Sequence, residues 1–224
     1  MIPQHSSESN EFYTPKWLVD GALHVFGGPP DLDPASSVIA NQLSGAKRIH
    51  TAEDNGLWQD WSWAKSIFLN PPGGLVDEKC RTVIRGSKAL GRTACTETGS
   101  CGLPPGHKHK GVTSSAAMWW HKLGWWWNGS VHRVPEARAV FVLFSLELLQ
   151  TTQKFRDVPH PHDFASCLPE DRIDFDKIVG SSREPGGQPT HANLIVLLSN
   201  ERDVARKFRD TFSPWGKILI PGSL

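Results

Sequence analysis

The chain has 224 residues, a length that suits one domain with room for an insertion. Hydrophobic residues make up 38% and charged residues 21%, and the formal net charge is +1, values that are ordinary for a globular protein and give no overall sign of nucleic-acid binding. Residues 1–10 lack the apolar core of a signal peptide, and no run approaches the roughly 18 apolar residues of a membrane span. These observations argue against a secreted disulfide-rich protein and a membrane protein, and they predict a cytoplasmic location with no membrane partner.

The first predicted element is a helix that follows a disordered tail over residues 1–10. Thr14 is suited to cap the helix and Pro15 to occupy its first position, because proline fixes a helical φ where no N–H is needed. The apolar pattern after Pro15 ends at Gly27-Gly28, a typical helix stop. The sequence therefore predicts an amphipathic helix between these points.

Two acidic segments follow predicted strands. Asp33-Pro34-Ala35 ends a short strand in small residues, which allow a cofactor to approach the backbone closely. Glu53 and Asp54 come after the second strand, where an acid suits the ribose hydroxyls of a nucleoside cofactor. A solvated acidic turn is the alternative for the second pair.

A buried strand over residues 66–69 ends abruptly in Asn70-Pro71-Pro72. Prolines cannot donate hydrogen bonds and they fix φ, so this loop would hold the Asn70 side chain and nearby carbonyls as fixed acceptors. The carboxyl ends of strands are where open α/β sheets bind ligands. The loop is either a candidate ligand-binding site or an ordinary Pro-Gly turn that ends at Gly73.

Residues 76–115 form a predicted insertion with a concentration of basic charge. Two cysteines and two histidines in a short Gly/Pro-rich stretch could ligate one structural zinc ion, although the spacing matches no standard finger and exposed loop histidines are the alternative. The basic side chains could bind DNA phosphates. The zinc candidates are Cys95, Cys101, His107 and His109, and the DNA-binding candidates are Lys79, Arg81, Arg85, Lys88, Arg92, Lys108 and Lys110.

The remainder predicts alternating helices and strands. Residues 118–127 hold five tryptophans and indicate a buried helix, with stacking on a base as the functional alternative. Strands are predicted at 137–144, 172–175, 194–198 and 215–220, a helix at 201–212, and loops at 155–170 and 180–189. Such alternation predicts an α/β fold with a mostly parallel sheet.

The motifs occur in a definite order along the chain. They are Tyr13-Thr14-Pro15, Asp33-Pro34-Ala35-Ser36, Glu53-Asp54 with Gly56-Leu57, Asp60-Trp61, Asn70-Pro71-Pro72, Arg172-Ile173-Asp174-Phe175 and His191-Ala192-Asn193-Leu194-Ile195-Val196. In this order the chain resembles the phage-type (Dam-like) DNA N-6-adenine methyltransferase family. It departs from the family's usual pattern at Gly73, where the Asn-Pro-Pro motif is ordinarily followed by an aromatic residue.

The resemblance implies a Rossmann-like S-adenosylmethionine-dependent methyltransferase sheet with helices on both faces, formed by residues 11–75 and 116–224. It implies adenine-specific methylation of double-stranded DNA after base flipping, and a bacteriophage protein acting in the cytoplasm of a bacterial host. The catalytic residues would be Asn70, Pro71 and Pro72. The cofactor-binding residues would be Tyr13, Thr14, Pro15, Asp33, Pro34, Ala35, Glu53, Asp54 and Asp60.

Three alternatives remain open from the sequence. Methylation of cytosine N4 would use the same geometry. The missing aromatic at Gly73 is compatible with a DNA-binding protein that has lost catalysis. A zinc protein acting only in assembly would bind metal and no cofactor.

Overall fold

The computed structural model describes residues 12–73, 75–77, 83–84, 112–130, 134–143, 146–179, 182–186 and 192–221, so the predicted tail over residues 1–10 lies outside it. The helices are α1 (Lys16–Phe26), α2 (Val38–Ser44), α3 (Ser115–Ser130), α4 (Glu147–Thr151) and α5 (Arg202–Phe212). The strands are β1 (Leu32–Asp33), β2 (Arg48–Ile49), β3 (Ser66–Leu69), β4 (Leu75–Asp77), β5 (Val83–Ile84), β6 (Val112–Ser114), β7 (Arg138–Leu143), β8 (Ala165–Pro169), β9 (Asp176–Val179), β10 (Ser182–Pro185), β11 (Leu194–Ser199) and β12 (Gly216–Leu219).

Seven of these strands form the central sheet, in the order β12-β8-β11-β7-β3-β1-β2. The pairs β2–β1, β1–β3 and β3–β7 are parallel, whereas the pairs β7–β11, β11–β8 and β8–β12 are antiparallel. Five of the seven strands consequently run in one direction. The fold is α/β with a mixed sheet, which confirms the predicted class at this level.

Helices cover both faces of the sheet, and side chains alternate between the two. In β7, Phe141 and Leu143 belong to the apolar cluster beneath α3, while Val140 and Val142 belong to the cluster beneath α1 and α5. β3 repeats the pattern, with Phe68 on the α1 face. Because side chains in a strand alternate with a period of two, a continuous apolar strand is what burial on both faces requires.

Helix α1 confirms the predicted element but begins differently. The N-cap residue is Pro15, which makes no side-chain cap, so the predicted capping role of Thr14 is wrong. The Thr14 hydroxyl instead accepts a hydrogen bond from Asn70. The helix ends at Phe26, and its C-cap residue Gly27 adopts a left-handed φ of 76°, a conformation that favours glycine.

Helix α3 confirms the predicted buried, tryptophan-rich helix. Trp119, Trp120, Trp126 and Trp127 are buried, whereas Trp125 is exposed and donates its indole N–H to Asp157. Trp120 packs edge-on against Phe141 of the sheet. None of the helices in the described ranges is long and apolar enough to cross a membrane.

Three predictions in the C-terminal half are wrong, and one of them is the loop at 180–189, which contains β10. The predicted loop at 155–170 contains β8, whose small and polar residues form a strand because β11 and β12 pair with it on either side. The predicted strand at 172–175 is absent, because the Ile173 N–H donates to the Asn193 side chain rather than to a neighbouring strand. The alternation of polar and apolar residues in this segment reflects the burial of Ile173 and Phe175, without strand pairing.

The described ends of the predicted insertion are paired with each other. β4 pairs with β6, Leu75 lying opposite Ser114 and Asp77 opposite Val112, and β5 adds a third strand to this small antiparallel sheet. β4 follows the Asn-Pro-Pro loop and β6 leads directly into α3. This pairing therefore holds the start of α3 next to the candidate catalytic loop.

Candidate functional site

The candidate site lies where the strand order of the sheet reverses. After β1 the chain moves outward to β2 at the sheet edge, then returns to β3 on the other side of β1. A reversal of this kind opens a crevice at the carboxyl ends of the strands. Leu32 of β1 pairs with Ile67 of β3, so Asp33 and Asn70 lie at the ends of adjacent parallel strands. This crevice brings together two of the residues singled out from sequence.

Asn70 is held by one hydrogen bond and keeps one polar atom unused. Its Nδ2 donates to Thr14 Oγ1 at 2.7 Å, which joins the loop after β3 to the residues before α1. Its Oδ1 is buried and has no hydrogen-bond partner in the described part of the chain. Pro71 is buried and Pro72 half-buried, so the loop that carries Asn70 is packed in place. The result is a fixed amide oxygen with free acceptor capacity.

The segment before Thr14 is anchored from a distant part of the sequence. Tyr13 exchanges two backbone hydrogen bonds with Asp176, of 2.8 and 2.9 Å, and its side chain is buried. Arg183 lies over the Tyr13 ring at 5.6 Å, forms an ion pair with Asp176 at 3.3 Å and donates to the Thr14 carbonyl at 3.5 Å. Arg183 falls in a segment predicted as a loop, so its part in placing Thr14 was not predictable from sequence.

Asp33 is a buried carboxyl group at the end of β1. Its exposed fraction is 5%, and burial raises its pKa to about 7 although hydrogen bonds from Ser36 and from the Ala35 N–H oppose the shift. The described residues include no cation paired with it. A buried carboxylate without a counter-ion is costly, so this position favours a cationic ligand group.

Glu53 and Asp54 lie in the exposed loop that follows β2. Hydrogen bonds from the Thr51 N–H and hydroxyl, of 2.8 and 3.0 Å, hold the pKa of Asp54 below its usual range. The hydrogen bond from Thr51 likewise lowers the pKa of Glu53. Both acids are therefore ionised at neutral pH, and their assignment to the cofactor stays a prediction.

The Asp60 carboxylate is held by the residue two positions after it. It accepts the Ser62 N–H and hydroxyl, both at 2.9 Å, and the Ser62 N–H is the main cause of its lowered pKa. It lines a cleft of about 180 Å³ together with residues from the C-terminal part of α3, among them Ser130. The assignment of Asp60 to the cofactor stays a prediction.

Gly56 closes the floor of the crevice by close backbone contact. A Cβ atom at this position would lie 2.0 Å from the Pro34 carbonyl oxygen and 3.0 Å from the Trp119 ring. By contrast, a Cβ atom at Gly73 would meet nothing within 4 Å. The chain after β2 can therefore reach the Asp33-Pro34 turn only because residue 56 has no side chain.

We expect Gly56→Ala to lower the free energy of unfolding by about 1 to 3 kcal/mol, because the backbone must shift to relieve the clash. Gly73→Ala is the matched control and should lie within about 0.5 kcal/mol of the parent. Urea denaturation followed by circular dichroism measures both. Equal stabilities of the two variants would contradict the close contact at Gly56.

The predicted zinc and DNA-phosphate candidates, from Lys79 to Lys110, lie outside the described residues. Within the ranges that are described, no group of three or more His, Cys, Asp or Glu side chains could hold a metal ion. Cys167 is a free, buried thiol whose pKa burial raises to about 11, which makes it unreactive at neutral pH.

A cavity of about 480 Å³ opens at the opposite edge of the sheet, at the amino ends of the strands. Asp31, Lys47, Ser66 and Arg138 are among its lining residues. The Asp31 carboxylate already has partners within the protein, since it accepts hydrogen bonds from Lys47 Nζ and from the Ser66 N–H. Ligands of open α/β sheets bind at the carboxyl ends, so the crevice at Asp33 and Asn70 is the stronger candidate.

Comparison of the chain with known proteins found no matching protein-family model. No curated protein matches it, and no solved structure matches it. The site is therefore interpreted from its own geometry.

Proposed function

We propose that this chain transfers a methyl group from S-adenosylmethionine to the exocyclic N6 of adenine in double-stranded DNA. The observation that carries the proposal is Asn70 Oδ1, a buried amide oxygen without a partner in the described structure, at the end of a strand beside the reversal in strand order. Burying an acceptor without a partner costs free energy, and a substrate N–H group would supply that partner.

The chemistry proposed for Asn70 requires fixed acceptors. The exocyclic amine of adenine is a poor nucleophile, because its lone pair is delocalised into the ring. Hydrogen bonds from its two N–H groups to Asn70 Oδ1 and to the Pro71 carbonyl favour a pyramidal nitrogen with an available lone pair. Thr14 fixes the amide orientation beforehand, so little reorganisation is needed.

The residues of the crevice fit S-adenosylmethionine, which when bound supplies an electrophilic methyl group on a sulfonium ion. Asp33 provides a buried carboxylate for its ammonium group. The Asp33-Pro34 turn follows β1, and the ionised Asp54 follows β2 within reach of a ribose predicted at that strand end. The parallel strands β2, β1, β3 and β7 with helices on both faces support a Rossmann-like methyltransferase sheet.

DNA is proposed as substrate from the ordered motifs between Tyr13 and Asn70 and from the concentrated basic charge of the insertion. An amine paired within a duplex is inaccessible, so the base has to be flipped out. Gly73 leaves open space beside the loop where the family has an aromatic residue. Tyr13 is buried under Arg183, whereas Phe12 is half-exposed with Lys177 5.2 Å from its ring, so Phe12 is the more accessible of these two aromatic residues for an extruded base.

The proposed cofactor can be tested by isothermal titration of the protein with S-adenosylmethionine. We expect saturable binding at one site for each chain, competed by S-adenosylhomocysteine. A chain that binds neither compound would contradict the proposed function, whatever its affinity for DNA.

Thr14→Val should lower kcat for methyl transfer about fivefold, because the Asn70 amide loses the acceptor that orients it, a bond worth roughly 1 kcal/mol. The affinity for S-adenosylmethionine reports separately on the cofactor contact that the resemblance implies for Thr14. Steady-state kinetics of Thr14→Val and Thr14→Ser measure the effect, and the serine variant should restore most of the rate. If Thr14→Val keeps the parental rate and Thr14→Ser loses it, Thr14 acts through packing of its methyl group rather than through the hydroxyl.

A further inference from the structure

The N-terminal half of α3 forms a wall of the crevice on the face opposite α1. The Trp119 ring stacks on Trp61 at a centroid distance of 5.9 Å and lies beside Gly56, which itself touches the Pro34 carbonyl. Trp119 therefore packs directly beneath the turn that follows Asp33. The pairing of β4 with β6 brings the first residue of the helix, Ser115, close to the chain that leaves the Asn70 loop.

Two polar groups on this half of the helix are buried without a partner. Ser115 Oγ and Trp119 Nε1 make no hydrogen bond with the described part of the chain, although their residues are only 0% and 3% exposed. They are four residues apart, so they lie on the same face of the helix, one turn from each other. That face is the one Trp119 turns towards Gly56 and Pro34.

Other tryptophans of the same helix show what a purely structural indole does here. Trp120 Nε1 donates to the Pro159 carbonyl at 2.9 Å, and Trp126 Nε1 donates to the Ala64 carbonyl at 3.1 Å. Buried indole N–H groups normally find such partners, since leaving one unpaired in the interior is unfavourable. Trp119 and Ser115 depart from this pattern at the end of the helix that adjoins the crevice.

We propose that Ser115 and Trp119 bind the adenine ring of the methyl donor, with the indole N–H donating to a ring nitrogen and the serine hydroxyl bonding a second polar atom of the purine. This inference rests on the proposed function and adds two binding residues to it. A purine suits the position, because it presents acceptor nitrogens at the edge of a flat ring. The acids assigned to ribose lie in the same loop as Gly56, which keeps the nucleoside on this side of the crevice.

The test uses Ser115→Ala and Trp119→Phe, with S-adenosylhomocysteine as the probe. Calorimetric titration should show binding weakened about five- to tenfold in each variant, as expected for one lost hydrogen bond. The matched control is Trp120→Phe, which removes the same ring atoms and also breaks the hydrogen bond from Trp120 Nε1 to the Pro159 carbonyl. Its affinity for the probe should equal that of the parent.

Thermal unfolding without ligand gives a second, independent readout. Trp120→Phe should lose about 2 to 4 °C more in Tm than Trp119→Phe, because only the control breaks an internal hydrogen bond. Ser115→Ala should unfold at the parental temperature or above it. An equal loss of Tm in both tryptophan variants would show that the Trp119 N–H is satisfied within the protein, which overturns the inference.

The outcomes also separate this inference from the proposed function. Unchanged probe affinity in both Ser115→Ala and Trp119→Phe, with a parent that binds, overturns the role of the two residues and leaves the methyl donor in place. Lowered affinity for DNA with unchanged affinity for the probe would assign them to the target base instead and overturn the purine assignment. If the parent does not bind S-adenosylhomocysteine, the proposed function itself is contradicted.

Discussion

Replacing Asn70 by Ala is expected to lower kcat for methyl transfer on the order of 100-fold or more, while the affinity for S-adenosylmethionine stays near that of the parent. The side chain supplies the unpartnered Oδ1 to the amine as charge develops, and losing one fixed polar group of this kind has an effect of that size in other active sites. Single-turnover kinetics and calorimetric titration measure the two quantities separately.

Two further variants make the Asn70 prediction specific. Asn70→Asp keeps an acceptor that Thr14 can also bond, so it should retain more activity than Asn70→Ala. Asn128→Ala removes an exposed amide that donates to the Asp157 carbonyl, and it should transfer at the parental rate. If Asn70→Ala instead loses cofactor binding and thermal stability together, Asn70 has a structural role and the catalytic assignment is wrong.

The second large effect concerns Asp33. We expect Asp33→Asn to weaken S-adenosylmethionine binding about 10- to 100-fold, because a hydrogen bond to a charged group is worth roughly 1.5 to 3 kcal/mol. Parental binding should tighten about fivefold between about pH 6 and about pH 7, since only the ionised fraction of a carboxyl with a pKa of about 7 can pair with the ammonium group. In the asparagine variant this pH dependence should disappear.

Stability should change in the opposite direction from binding. The pKa of Asp33 is about 7 in the folded chain against an ordinary value of 3.8, so the folded state binds the extra proton between these values. The contribution of Asp33 to stability is therefore complete below about pH 4 and is lost as pH rises to about 7. Asp33→Asn should match the parent in acid and exceed its free energy of unfolding at about pH 8, by up to about 4 kcal/mol.

Asp31→Asn is the matched control for this prediction. Burial alone would raise the pKa of Asp31, but hydrogen bonds from Lys47 and from the Lys65 and Ser66 N–H groups outweigh it and lower that pKa. Ionised Asp31 therefore stabilises the fold at neutral pH, so its replacement should reduce stability and leave cofactor binding unchanged. Denaturation measured over this pH range gives the change in the free energy of unfolding for each variant. If Asp31→Asn and Asp33→Asn change it in the same direction, the expected difference between the two acids is wrong.

The sequence predicts the main elements where local signals and burial agree. β3, β7 and β11 are continuous apolar runs, and the C-cap of α1 is a glycine that adopts the left-handed conformation. β8 was not predictable, because its residues favour a strand only weakly and its neighbours in the sheet come from distant parts of the chain. The false strand at 172–175 shows that alternating burial can arise without strand pairing.

The candidate site was predictable in part. Asp33 and Asn70 were predictable because each is a polar residue at the end of a predicted strand. The structure places them at the ends of adjacent strands. The bond between Thr14 and Asn70 joins residues 56 positions apart, and no local pattern contains it. The missing hydrogen-bond partners of Ser115 Oγ and Trp119 Nε1 could not be predicted from sequence either. A tryptophan whose indole N–H is hydrogen-bonded and one whose N–H is not occur in the same sequence pattern and differ only in their surroundings.

The most direct test of the central proposal is methyl transfer from labelled S-adenosylmethionine to unmodified double-stranded DNA, followed by chromatography of the digested nucleosides. We expect label in N6-methyladenine, and none when Asn70→Ala replaces the parent. Label in N4-methylcytosine would keep the role of Asn70 and correct the base. A parent that binds S-adenosylmethionine and DNA yet transfers no label would indicate a DNA-binding protein without catalysis and contradict the proposed reaction.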